Sequence, residues 1–157
     1  MPEQQTLDRA RRDAREGKAP STQAGEFVRE EMEHIREGKH GARSTKQAIA
    51  IGLSKARRAG VKLPAPKASR AGASTRKQAK RDIRRGRSAS SSRPSAKRSR
   101  ATLRALKKES RSAASHRALS TQARRAARKR SPGARSEQAK RAARTRRANR
   151  TSRGGSR

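Results

Sequence analysis

The larger apolar residues are gathered into one stretch of the chain, where they recur at helical intervals. Ala24, Phe27, Val28, Met32 and Ile35 fall within one arc of about 140° at 100° per residue, opposite Arg29, Glu30, Glu33 and Arg36. Ser21, after Pro20, offers an N-cap and Gly38 a stop, so the spacing predicts a helix to about Glu37. A second apolar face follows the turn Gly38-Lys39-His40-Gly41: Ala48, Ile49, Gly52, Leu53, Ala56 and Ala59. Ser44-Thr45-Lys46-Gln47 fits a capping box before it. Arg57 and Arg58 oppose the negative end of the helix dipole, with Gly60 at C′. Two apolar faces joined by a tight turn predict a helical hairpin over residues 21–63, with Leu53 facing Phe27 or Val28. Ile51 points about 200° away from Ile49. It reads either as a lone exposed apolar residue or as a contact for the first helix or a second protomer, a homodimer.

Outside this hairpin the pattern thins. Thr6 can cap a short helix over about 7–16, stopped by Gly17 and supported by Arg9/Asp13 and Arg12/Glu16 at i,i+4. Leu63-Pro64-Ala65-Pro66 opens a stiff linker over residues 64–73. Residues 74–157 are Arg/Ala/Ser-rich. Ser74-Thr75 begins a helical stretch ending at Gly86, with Thr75/Gln78 as a second capping box. Further starts are Ser99 before Leu103 and Leu106, Ser115 before Leu119, Ala123, Ala126 and Ala127, and Ser136-Glu137 before Ala139, Ala142 and Ala143. Alanine and arginine favour helix, but like charges at i,i+4 repel, so these segments read as latent helices completed by phosphate neutralisation. Ser88–Ser95 reads as a flexible linker. The expected fold is all-α: a short N-terminal helix over 1–20, a hairpin head, and a largely disordered, latently helical basic tail. Residues 1–66 should be helical alone, and residues 67–157 mostly coil.

Composition sharpens this division. Of the apolar residues, 29 are Ala and only 15 are larger. Nine of the larger ones lie between residues 27 and 63, and four in the 94 residues beyond. Leu, Ile, Val and Phe total 13 of 157, far below the roughly 20% at which high net charge already predicts disorder. Formal net charge is +34, from 46 Lys and Arg against 12 Asp and Glu. Residues 1–37 carry nine acids and seven bases, whereas residues 38–157 carry 39 bases and three acids. Such asymmetry points to a polyanionic partner. No cysteine is present, which excludes disulfides and thiolate chemistry. The longest apolar run, Ala48 to Leu53, is too short for a bilayer span, so no membrane partner is expected. No basic and apolar leader is visible at the N-terminus, and a cytoplasmic protein is the default.

The candidate chemistry is electrostatic. Arginine outnumbers lysine 33 to 13, and guanidinium matches phosphate by bidentate bonding. The candidate nucleic-acid-binding residues are Lys39, Arg43, Lys46, Lys55, Arg57 and Arg58 in the head, then Arg84, Arg85 and Arg87. They continue with Arg98, Arg100, Arg124, Arg125, Arg128, Lys129, Arg130, Lys140, Arg141, Arg144, Arg146 and Arg147. Trp and Tyr are absent and Phe27 is the sole aromatic, so base stacking on single strands has no platform. Duplex DNA bound by its backbone fits best, with RNA next. The first turn of the second hairpin helix, with Thr45 and Gln47, would read base edges if the head were a helix-turn-helix. Arg84-Arg85-Gly86-Arg87-Ser88 is a degenerate likeness of an Arg-Gly-Arg-Pro minor-groove hook. Glu30 and His34, one turn apart, with His40 nearby, read as an exposed charged face rather than a metal site. No catalytic motif, cofactor, metal or small-molecule substrate is predicted.

The segment Gly25–Gly60, GEFVREEMEHIREGKHGARSTKQAIAIGLSKARRAG, resembles a family of small basic bacterial proteins of unknown function. The resemblance runs from Arg11 to about Pro66 and continues loosely through Gln78–Arg81 and Ala113–His116. It implies a bacterial, cytoplasmic protein and carries no site residues with it. The tail is similar to linker-histone and protamine-like tails in charge and Ala/Ser/Arg content. The expected function is non-enzymatic, sequence-independent nucleic-acid binding, nucleoid-associated and histone-like. The rival readings are an RNA- or ribosome-associated basic protein, a sequence-specific helix-turn-helix protein, and a disordered stress or hydration protein.

Overall fold

Glycines at positive φ, namely Gly17 (69°), Gly38 (79°) and Gly60 (90°), follow the first three helices and turn the chain out of each. The structure, a computed structural model, describes residues 2–88 and 95–154, and these are all-α, with no strand among them. The helices are α1 (Gln4–Arg15), α2 (Pro20–Arg36), α3 (Thr45–Arg58), α4 (Ala73–Arg87), α5 (Ala96–Lys107), α6 (His116–Arg128) and α7 (Pro132–Gly154). A short 3-10 turn, Arg111–Ala114, lies between α5 and α6. Most of the Ser88–Ser95 linker lies outside the described residues.

Helix starts follow local chemistry, although not always at the hydroxyl expected. Ser44 Oγ accepts from the Gln47 N–H at 3.2 Å, and Ser115 Oγ from Ala118 N–H at 3.2 Å, as the spacing predicts. The Gln47 side chain reaches back one residue further than a capping box requires, accepting from the Arg43 N–H at 2.8 Å. Elsewhere proline decides. Pro20 sits in the first turn of α2, so Ala19 rather than Ser21 takes the cap position. Pro132 opens α7, which Ser131 caps by accepting from Ala134 N–H, leaving Ser136 inside the helix. Ser95 caps α5 ahead of Ser99, and Gly72 precedes α4, where Gln78 donates to Asp82 rather than returning to Thr75. Thr6 lies within α1, fully buried. Arg9 pairs with Glu26 at 2.9 Å and Asp13 with Lys18 at 2.7 Å, in place of the Arg9/Asp13 pair expected.

The predicted hairpin of α2 and α3 forms the centre. One apolar cluster joins Ala10, Ala24, Phe27 and Ala56, with Leu7, Leu53, Val61 and Leu63 against it. Leu53 thus meets the Phe27 cluster, as its place on the helix requires. A second cluster holds Met32, Ile35, Ala42, Ala48, Ala113 and Ala114, flanked by Val28, Ile49 and Leu119. Ile51 is half-buried and belongs to neither. At Gly52 the two backbones meet: a Cβ there would lie 2.7 Å from the Val28 Cα and 3.0 Å from the Phe27 carbonyl oxygen.

The compact unit does not end at residue 63. It runs from Met1 to Leu119, and a second unit spans Ser120–Arg157. Helix α4 packs on α3, burying Ala79 and Asp82. The segment after α5 closes the α2–α3 turn. Gly41 N–H donates to the Leu106 carbonyl at 2.9 Å, and Ala42 N–H to Ser110 at 3.0 Å. Arg36 Nε donates to the Ala114 carbonyl at 3.0 Å. Residues placed in the tail by apolar counting are therefore structural, because they pack through alanine and backbone groups rather than large side chains. A fragment ending at residue 66 would lose these contacts. In the second unit, every described side chain from Arg128 to Arg147 is exposed.

Two glycines on the hairpin should respond oppositely to the same substitution. Gly25 in α2 has open space where a Cβ would go, so Gly25→Ala should stabilise by about 0.5–1 kcal/mol through helix propensity. Gly52→Ala must push the helices apart and should destabilise by about 1–3 kcal/mol. Thermal melts followed by circular dichroism should move up for the first and down for the second. Equal shifts would contradict the close crossing.

Candidate nucleic-acid interface

The basic residues divide by what surrounds them, and in the head several already serve the fold. Lys55 on α3 reaches back to α2, with Nζ 3.1 Å from Glu30 Oε1 and 2.7 Å from Glu31 Oε2. Both carboxylates are buried, and the Lys55 side chain is only 16% exposed. Glu30, expected on the solvent face, is covered because α1 and the residues before it lie over that side of α2. Burial pushes the Glu30 carboxyl up, but hydrogen bonds from Thr6, the Glu3 N–H and Lys55 together hold it below the ordinary value.

Arg57 is also withdrawn from solvent. It is 8% exposed, and its Nη2 donates to the Pro64 carbonyl at 3.2 Å. Burial pushes its pKa below the ordinary guanidinium value, against the pull of Asp82. Asp82, 1% exposed, accepts from Gln78 Nε2 at 3.1 Å and stands 3.9 Å from Arg58 Nε. Arg57 and Lys55 are thus removed from the phosphate-binding set: their charges balance buried carboxylates. Lys39 is half-exposed but paired with Glu37 at 3.0 Å and Glu3 at 3.1 Å, and these two carboxylates, Glu37 first, raise its pKa. Arg58 keeps 42% of its side chain exposed while Nε donates to the Ser54 carbonyl. Arg43 and Lys46 are exposed.

Thr45 and Gln47 do not form a base-reading turn. Thr45 is buried, and its Oγ1 donates to the Ala113 carbonyl at 2.7 Å. The 3-10 turn sits over the end of α3 that a helix-turn-helix would present to DNA. Gln47 is half-buried, with its carbonyl oxygen held by the Arg43 N–H. The resemblance to a helix-turn-helix was local to two helices and a glycine turn, whereas the covering Ala113 lies 68 residues beyond Thr45.

The remaining candidates face solvent. Arg84, Arg85 and Arg87 end α4, and Arg98 and Arg100 lie on α5. Arg124, Arg125 and Arg128 line α6, followed by Lys129 and Arg130, and α7 carries Lys140, Arg141, Arg144, Arg146 and Arg147. Arg130 donates to Gln138, and Lys140 lies 3.2 Å from Glu137. Arg104, Arg117 and Arg135 are exposed on the same helices and join the set. Their signal was simply a basic residue with few acids nearby. Residues 120–157 hold 14 bases and one acid, Glu137. Among the described residues, no helix is long and apolar enough to cross a membrane.

This division predicts two opposite outcomes for charge removal. Lys55→Met keeps the aliphatic stem but strands two buried carboxylates, and should destabilise by about 2–4 kcal/mol. Arg125→Met on α6 should change stability by less than about 0.5 kcal/mol. Urea unfolding of the full chain distinguishes them, and a harmless Lys55→Met would contradict the structural role given to Lys55.

Residues 20–67 match a family model described as Family of unknown function (DUF6496), over α2, α3 and the proline segment that follows. No curated protein and no solved structure matches the chain.

Proposed function

We propose that the protein binds duplex nucleic acid through its phosphates, without sequence preference, as a nucleoid-associated, histone-like protein. The observation that carries this reading is the surface of residues 120–147, where arginine and lysine are exposed on helices and one acid, Glu137, stands among them. A net charge of about 2–8 suffices to keep a small domain in solution. The chain carries +34. Helices space the guanidinium groups around a narrow rod, which phosphates can approach from several sides. Neutralising them relieves the arginine–arginine repulsion that opposes helix in α6 and α7. With Thr45 covered and Gln47 held, the head supplies no reader of base edges, so affinity comes from released counterions.

Fluorescence anisotropy of the full chain on unrelated duplexes tests this directly. Log affinity should fall against log salt with a slope on the order of −8 or steeper, and different sequences should bind within a few-fold. Ending the chain after Leu119 keeps the compact unit intact and should flatten the slope by at least about four units. Replacing Arg43, Lys46 and Arg58 by Ala should flatten it by at most about three. A shallow slope, or a reproducible motif selected from random duplexes, would overturn the reading. Markedly tighter binding to duplex RNA would move it to the ribosome-associated alternative.

A further inference from the structure

The turn between α2 and α3 gathers both histidines of the head around one buried carboxylate. Glu31 and His34 are one helical turn apart on α2, and His40 returns to them after Gly38. One ligating atom from each of Glu31, His34 and His40 lies within 4.8 Å of the others. Glu31 is fully buried. Lys55 pairs with its Oε2 at 2.7 Å, while Oε1 has no hydrogen-bond donor of its own. A buried carboxylate in that condition is under-satisfied.

His40 makes the mismatch explicit. Its Nδ1 lies 3.1 Å from the Gly41 carbonyl oxygen, an acceptor, so Nδ1 carries the hydrogen. In the neutral ring the Nε2 lone pair then faces Glu31 Oε1 at 3.3 Å, acceptor against acceptor. Either a proton on Nε2 or a metal ion resolves this contact. With metal–ligand bonds of about 2.0–2.1 Å, a tetrahedral centre spaces its ligand atoms about 3.3–3.4 Å apart. The observed separation is that of two ligands on one ion. The Nδ1–H bond to Gly41 is also the outer-shell contact that orients a ligating histidine.

The geometry points to a divalent transition-metal site formed by Glu31, His34 and His40. Two imidazoles and a carboxylate suit Zn²⁺, Co²⁺ or Ni²⁺ rather than Mg²⁺ or Ca²⁺, which prefer all-oxygen shells. Glu3 Oε1, 2.8 Å from His34 Nε2, stands at hydrogen-bond distance from that ring, as an outer-shell carboxylate does, and the fourth position is left to water. Local charge favours the ion. Glu3, Glu30, Glu31 and Glu37 face Lys39 and Lys55, with the Arg111 guanidinium beside Gly38, which leaves one net negative charge at the turn. Binding needs both histidines neutral, so the ion displaces any proton held on Nε2 of His40. It would tie the turn and the segment before α1 to α2. The sequence pattern had paired His34 with Glu30, which is turned instead toward Lys55 and the Glu3 N–H.

The test uses the full chain, stripped of nucleic acid and treated with chelator, then titrated with Co²⁺ near neutral pH. The expected result is the visible ligand-field spectrum of tetrahedral cobalt, saturating at about one equivalent and displaced by Zn²⁺. The melting temperature should rise on addition of Zn²⁺. His34→Asn and His40→Asn should each weaken Co²⁺ binding by at least about 100-fold while helical circular dichroism persists. His116→Asn, altering an exposed residue on α6, should leave binding unchanged. Wild-type protein that gives no tetrahedral spectrum and no thermal shift would overturn the site, leaving an imidazolium–carboxylate pair in its place. Binding lost only with His116→Asn would overturn it as well. Neither result bears on phosphate binding by the tail.

Discussion

At Gly52 the backbones of α2 and α3 approach so closely that a single methyl group would lie 2.7 Å from the Val28 Cα. This closeness is the constraint under which the rest of the fold is built. With 15 apolar residues larger than alanine, the chain cannot fill space between widely separated helices. It must bring helices together at small residues. Gly86 lies against the Arg57 and Gly60 backbone where α4 crosses α3, and Gly41 against the backbone of Glu109 and Ser110. The two clusters are accordingly rich in alanine, and Phe27, Met32 and Ile35 are their largest buried members. Alanine contributes little area per residue, so more of the chain must be recruited to cover the hairpin. Helix α4 and the segment from Leu106 to Leu119 do that.

Charge serves two separate purposes on either side of this packing. Inside the head, Glu30, Glu31, Arg57 and Asp82 are buried, and Lys55 nearly so, linking α2 to α3 and α3 to α4. Desolvating such groups costs several kcal/mol per ion, so their net stabilisation is small. Their loss one at a time is nevertheless severe, because the partner remains buried. They fix which helix lies where in a core that shape alone specifies poorly. From Arg124 to Arg147 the cations have few acids to meet and are exposed. The same residue types therefore hold the fold in one half of the chain and present a field in the other.

The hairpin was legible in the sequence because it rests on periodicity: Phe27, Val28, Met32 and Ile35 on one helix, Ala48, Gly52, Leu53 and Ala56 on the next. Glycine stops at 17, 38 and 60 were equally plain. Cap positions were less so, since several hydroxyls stand near each start and the prolines at 20 and 132 select among them. Two features left no local trace. Glu30 looked exposed because the covering residues of α1, Thr6 and Ala10, are small. Thr45 looked available because Ala113 and Ala114, which cover that region, carry neither bulk nor charge to mark them as partners. Lys55 and Arg57 were grouped with the phosphate-binding cations for the same reason: a basic residue in a basic chain gives no local sign of a buried acid on another helix. The outward cations of α6 and α7 were legible because a single acid, Glu137, stands among them in the sequence.

The central claim is this separation between an inward-bonded unit and an outward-facing basic one. Amide hydrogen exchange of the full chain, with and without duplex DNA at low salt, measures it residue by residue. Slow exchange in α2, α3 and the segment over their turn, unchanged by DNA, together with strong new protection across α6 and α7, is the predicted result. Protection gained chiefly at the first turn of α3, with none across residues 120–154, would contradict it.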